Sequence, residues 1–157
     1  MLIPASVRKA ENDISVTDLL PPSLTSLLGF QLRMAQITLS RHFATAMREV
    51  NLTQRQIAVL EILEWSPGAS QVDIAACLAT DRCTMTAIID RLEERHLLVR
   101  RPSRTDRRRQ DLHLTTEGVE SIRRAREIID QHEKYFLERL LPKERDVLFQ
   151  ALRRMWD

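Results

Sequence analysis

Glycine is scarce in this chain, which holds only Gly29, Gly68 and Gly118 among 157 residues. Three isolated glycines cannot build a phosphate-cradling loop, which needs several residues free to take unusual backbone angles close to a ligand. No nucleophile elbow or zinc-hydrolase motif appears either, so the sequence reads as a non-enzyme that needs no cofactor. Cysteine is also sparse: Cys77 and Cys83 lie six positions apart rather than in a CxxC pair, which argues against a disulfide framework. His42, His96, His113 and His132 share no compact ligand spacing, so no metal site is expected. Apolar runs of the ~20 residues that span a bilayer are missing. Residues Met1 to Val16 interleave Arg8, Lys9, Glu11 and Asp13 with short apolar stretches, unlike a secretory signal. The expected location is the cytoplasm, with no membrane partner.

Lysine is the third shortage: three of the 24 basic residues are Lys and the rest Arg. That ratio suits planar, bidentate recognition of phosphate and guanine, and composition bias of the genome accounts for it equally well. The distribution of charge says more. From Arg82 to Arg109 nine arginines stand against Asp90, Glu93, Glu94 and Asp106, a local net charge of +5 in a chain whose total is +2. The remainder is therefore slightly acidic, and positive charge is concentrated where a polyanion would dock. A chain of this length holds one domain, or one compact unit with dimerising extensions, and 43% hydrophobic residues suffice for a core.

The periodicity predicts a mainly α fold with a small β-wing. Residues 1–22 read as a mobile arm ending at Pro21-Pro22. From Ser23 to Val50, Leu28, Leu32, Ala35, Leu39, Phe43, Met47 and Val50 recur at helical spacing. One helix of that length, about 40 Å, would outrun the core of a small domain and invite a partner chain, so residues 23–52 are taken as a dimerisation helix. Thr53 with Gln56 forms a capping box for the next helix, whose stripe is Ile57, Leu60 and Leu63. Ser70 with Asp73 starts a short helix carrying Val72, Ala75 and Leu78 inward. Asp81 caps a further helix after only Ala79 and Thr80, the tight pairing of a helix-turn-helix. There Met85, Ile88, Ile89 and Leu92 form the buried stripe, leaving Arg82, Cys83, Thr84, Thr86, Ala87 and Arg91 for a major groove. Leu98 to Arg101 and Asp111 to Leu114 read as strands joined by a loop from Pro102 to Gln110. Residues 53–115 thus form a winged helix-turn-helix. Thr115 caps a long helix running to Leu140, and a last amphipathic helix follows Pro142, making residues 116–157 a second dimerising segment.

The wording of the residues adds to this. Leu52-Thr53 with Gln56 and Val59-Leu60, Ser70-Gln71 before Ile74-Ala75, the run DRCTMTAIIDRLEERHLLVRRPSRTDRRR from Asp81 to Arg109, and Leu114-Thr115-Thr116-Glu117-Gly118 resemble the MarR family of bacterial transcriptional regulators over about two thirds of the chain. The resemblance implies an obligate homodimer interlocked through the first, fifth and sixth helices. Each subunit would present one winged helix-turn-helix to a palindromic double-stranded DNA operator, under control of a small molecule or an oxidant. It further implies that Arg82, Cys83, Thr84, Thr86 and Ala87 of the recognition helix lie near bases and phosphates. Ser70 and Gln71 would seat a phosphate at a helix N-terminus, and Arg104, Asp106, Arg107 and Arg108 would form the wing, with Asp106 bracing Arg108 for the minor groove. Three positions depart from the family pattern. Ile57 replaces a common aromatic of the ligand cavity, Ala87 a frequent arginine, and His96 the usual helix-terminal glycine.

Arg33, Gln36 and Ser40 share one flank of the first apolar stripe and His42 sits on the other. Such residues can grip a carboxylate where members of the family often bind aromatic acids, and the segment Leu28 to Phe43 resembles regulators of aromatic-acid catabolism, some of which sense the coenzyme A thioester; ordinary interface polarity explains these residues as well. Cys83, beside Arg82 at a helix N-terminus, is placed either as a thiol sensor or as a small contact residue. Two further readings therefore stand beside the ligand-responsive regulator, most simply a repressor: a redox regulator working through Cys83, and an architectural DNA-binding protein without ligand control.

Overall fold

The computed structural model describes residues 19–103 and 108–156. The chain divides into two compact units, residues 1–38 and residues 39–157. Within the first, α1 (Pro22–Thr25) is a single turn started by proline at its first positions, and α2 (Leu28–Ala46) begins three residues later. The uninterrupted helix expected from Ser23 to Val50 is thus broken at Ser26-Leu27 and ends early, giving α2 about 28 Å of length. Thr25 Oγ1 and Ser26 Oγ donate to the carbonyls of Pro22 and Ser23, local bonds that compete with helix propagation. Gln31 Nε2 then donates to the Thr25 carbonyl at 2.5 Å, closing the break.

The second unit contains the end of α2 followed by α3 (Gln54–Trp65), α4 (Gln71–Cys77), α5 (Arg82–Glu94), β1 (Leu98–Pro102), β2 (Gln110–Leu114), α6 (Thr116–Leu137) and α7 (Pro142–Trp156). Each start signal reads as the sequence implies. Thr53 and Ser70 make reciprocal capping boxes with Gln56 and Asp73, while Asp81 and Thr115 accept from the backbone of Thr84 and Gly118. Each cap satisfies amides that the helix leaves unpaired, worth about 1 kcal/mol apiece. Between α4 and α5 the turn is closed by Ala79 at φ 45°, and α5 hands over to β1 through His96 at φ 57°. His96 thus adopts, without being glycine, the left-handed backbone of a helix terminus.

Strands β1 and β2 pair antiparallel with Leu98 opposite Leu114 and Arg100 opposite Leu112. A third edge comes from residues 68–70, where Gly68 N donates to Leu112 O, Leu112 N donates to Ala69 O, and Ser70 bridges Asp111. This small sheet closes over one core in which Leu60, Leu63, Ile74, Met85, Ile89, Leu92, Leu98, Leu112 and Ile122 are fully buried. Each such side chain stabilises by about 1.5–3 kcal/mol relative to exposure. Ile74 of α4 is fully buried and Ala75 and Leu78 pack against the core as expected, whereas Val72, expected inside, is 59% exposed. Arg126 of α6 pairs with Glu61 and Glu64 of α3, tying the long helix to the winged lobe. No described helix is long and apolar enough to cross a membrane.

Candidate nucleic-acid interface

The N-terminus of α4 is built around a buried serine. Ser70 Oγ accepts from the Asp73 amide, and the Asp73 carboxylate accepts from Ser70 N at 3.0 Å and Ser70 Oγ at 2.8 Å. Those two bonds, with Arg109 adding to them, hold the Asp73 carboxyl below its usual range. Ser70 is thereby turned into the cap, and Gln71 is the side chain offered outward beside it. Arg109 Nη2 reaches Asp73 at 2.9 Å and its Nε reaches Asp111 at 3.2 Å, so one guanidinium pins the root of the wing to the start of α4.

Around this pin lies a cleft of about 530 Å³ whose lining includes Gln71, Asp73, Arg82, Arg108, Arg109 and Gln110. Residues from α4, α5 and the end of the wing, distant in sequence, therefore converge on one concavity. On α5 the Asp81 cap accepts from Thr84 N at 2.9 Å, and hydrogen bonds from Thr84 lower the Asp81 pKa. Arg82, Cys83, Ala87 and Arg91 are exposed along the helix, and Thr84 and Thr86 are half-buried. Thr86 Oγ1 donates to Arg82 O at 2.8 Å and accepts from Gln71 Nε2 at 2.5 Å. Preformed side chains at two helix N-termini, flanked by guanidinium groups, suit an anionic backbone and the donor and acceptor edges of bases.

Not every arginine of the basic window is offered to a ligand. Arg100 is held by Asp90 and Glu93, and Arg95 donates to the carbonyls of Asn51 and Val50. Arg82, Arg91, Arg101 and Arg108 lie at the surface. Arg104, Asp106 and Arg107, and with them the brace expected between Asp106 and Arg108, lie outside the described residues. The pinning role of Arg109 escapes sequence reading because Asp73 is 36 residues away.

The residues expected to hold an effector are placed as follows. Arg33 and Gln36 are exposed on α2. Ser40 lines a cavity of about 350 Å³ with Phe43, Ala44, Met47 and the segment from Asn51 to Gln54. His42 instead stacks on Tyr135, with ring centroids 4.5 Å apart, and its Nδ1 lies 2.8 Å from Nδ1 of His132, one ring donating to the other. His132 is 4% exposed. Burial pushes its pKa down from the ordinary 6.5, Glu133 opposes the shift and His42 adds to it. No spacing rule could have joined two histidines 90 residues apart. Among the described residues, no group of three metal-ligating side chains converges.

Comparison with known proteins supplies the context. The MarR family model matches residues 52–109. Over 150 residues the chain is 33% identical to a putative transcriptional regulatory protein for the hcr operon of Thauera aromatica, covering 95% of this chain and 89% of that one. The transcriptional repressor CouR bound to a 23-mer DNA duplex superposes with a TM-score of 0.85 at 35% identity, covering 88% of this chain and 99% of CouR. CouR bound to p-coumaroyl-CoA gives 0.80 at 33% identity, over 87% and 96% of the two chains.

Proposed function

Because the chain belongs to the MarR family of DNA-binding, homodimeric transcriptional regulators, we propose that it represses transcription from a palindromic operator and is released by an aromatic carboxylate or its coenzyme A thioester. The observation that carries the operator reading is the convergence of Gln71, Arg82 and Arg108 on one cleft at the start of α4, beside the exposed face of α5. Ser70, Gln71, Arg82, Cys83, Thr84, Thr86, Ala87 and Arg91, with Arg104, Asp106, Arg107 and Arg108 of the wing, form the DNA-binding set in this reading. Residues 23–52 and 116–157 supply dimerisation, and residues 53–115 the DNA-binding domain. A dimer would place two copies of α5 in successive major grooves, about 34 Å apart.

The effector reading draws on the polar and cationic positions Arg33, Gln36, Ser40 and His42 of α2 and on the likeness to CouR, whose structure carries p-coumaroyl-CoA. A ligand lowers operator affinity only by binding the DNA-incompatible arrangement better, and a coupling of roughly 1–3 kcal/mol is enough for regulation. The test is titration of aromatic acids and their coenzyme A thioesters against the protein–operator complex, with Arg33→Ala alongside. Release by one compound class, blunted in Arg33→Ala, supports the reading. The exposed Cys83 thiol defines the rival result: release by mild peroxide, abolished by Cys83→Ser, with no compound active.

A further inference from the structure

The contact between Gln71 and Thr86 crosses from the first residue of α4 to the fifth residue of α5, and both side chains are half-buried on the face assigned to DNA. Its donor and acceptor bookkeeping is restrictive. Thr86 Oγ1 gives its only proton to the Arg82 carbonyl at 2.8 Å and can meet Gln71 only as an acceptor. The partner atom at 2.5 Å must therefore be the amide nitrogen of Gln71, which fixes the orientation of the carboxamide. One N–H of Gln71 is consumed. What remains at its tip is one N–H donor and the Oε1 acceptor, side by side in the amide plane.

That pair complements one base edge. Adenine presents N7 as acceptor and its N6 amino group as donor in the major groove, whereas guanine presents two acceptors and the pyrimidines one group each. We propose that Gln71 reads an adenine in each operator half-site and that Thr86 is the positioning residue that locks its carboxamide in the reading orientation. The proposal rests on α4 and α5 facing operator DNA, as in the function proposed above. Thr86 acts here through Gln71 rather than by touching the base with its hydroxyl. A carboxamide held before binding also loses less rotational freedom on binding, so the latch supports affinity as well as selectivity.

The test uses the full-length dimer and an operator selected from a random duplex library, followed by binding at fixed salt to every single-base-pair variant of it. Wild type should prefer adenine at one position per half-site by roughly 5- to 150-fold. Gln71→Ala and Thr86→Val should each abolish that preference, the double variant should be no worse than either, and Thr86→Ser, which keeps the hydroxyl, should retain it. Replacing that adenine with 7-deazaadenine, which lacks the N7 acceptor, should weaken wild type and leave Gln71→Ala unchanged. An adenine preference undiminished in Thr86→Val overturns the latch. Uniform weakening of all sequences by Gln71→Ala, with a smaller salt slope, makes Gln71 a phosphate contact and overturns the adenine assignment. If wild type selects no operator at all, the regulator reading itself fails.

Discussion

At Gly118, on the first turn of α6, an added Cβ would stand 2.0 Å from the carbonyl oxygen of Leu97, an atom that also accepts from Thr115 N. Alanine would favour the helix by up to about 1 kcal/mol. The obstacle, however, is backbone rather than the end of a side chain, and overpacking of that kind costs about 1–3 kcal/mol. The second effect wins, so Gly118→Ala should lower the urea midpoint; a raised midpoint would mean that α6 can lift from Leu97 at little cost. His132 gives a second prediction at this scale. Its pKa is depressed in the fold, so below the ordinary 6.5 the unfolded chain binds the proton more readily than the native one. Stability is then complete above that value and declines as pH falls through the interval between the unfolded and folded pKa. The His132 ring meets His42 and Phe43 from α2 and Glu133 and Phe136 from α6, while Tyr135 stacks on His42 with the Arg139 guanidinium 4.4 Å from its ring centre. Urea midpoints measured between about pH 7.5 and 5 should fall for wild type and flatten in His132→Phe. An equal slope in both would assign the effect to another group.

At the level of elements, the root of the wing is held to its lobe both by backbone bonds from residues 68–70 and by one side chain. Arg109 ties β2 to the start of α4 through Asp111 and Asp73, yet the pairs are largely exposed, and such pairs stabilise a fold by less than about 1 kcal/mol. Arg109→Ala should therefore leave thermal stability almost unchanged while weakening operator binding by freeing the wing, and the pattern of base preference should stay as in wild type. Equal affinity for wild type and Arg109→Ala would show that the wing root needs no pin. Elements of this kind also mark what the sequence made legible. Thr53, Ser70, Asp81 and Thr115 announced their helices because capping is local chemistry, and the two wing strands showed as short runs either side of a loop opened by Pro102. In the seven-residue α4 the expected stripe held at Ala75 and Leu78, which pack against the core, but so short a helix left periodicity unable to tell that Ile74 rather than Val72 completes it. The break at Ser26-Leu27 was hidden for a related reason, since hydroxyl bonds from Thr25 and Ser26 to the preceding turn leave no trace in the apolar pattern. The His42–His132 pair and the Arg109 pin join residues far apart in sequence, which no local signal can report.

At the scale of the whole molecule, α7 sets the requirement. None of its fifteen residues is buried in the single chain, and Val147, Phe149, Met155 and Trp156 are each more than half exposed, Trp156 to 73%. A helix this apolar, left open to water, marks an interaction surface, and the self-complementary face of a two-fold dimer is the economical cover for it. Light scattering at low micromolar concentration should give twice the chain mass of 18.3 kDa. Phe149→Glu places a charge in that face without touching the winged lobe, so its core and its cleft should survive. The variant should dissociate on dilution at concentrations where wild type remains paired. Operator affinity should fall with it, because each winged lobe then binds a half-site alone and loses the effective concentration its tethered partner provides, a loss of roughly 10²- to 10⁴-fold. Binding to an isolated half-site duplex separates the two causes: it should be equal in wild type and Phe149→Glu. A variant that stays dimeric, or a wild type that sediments as a monomer, would remove α7 from the interface and leave its apolar face to some other partner.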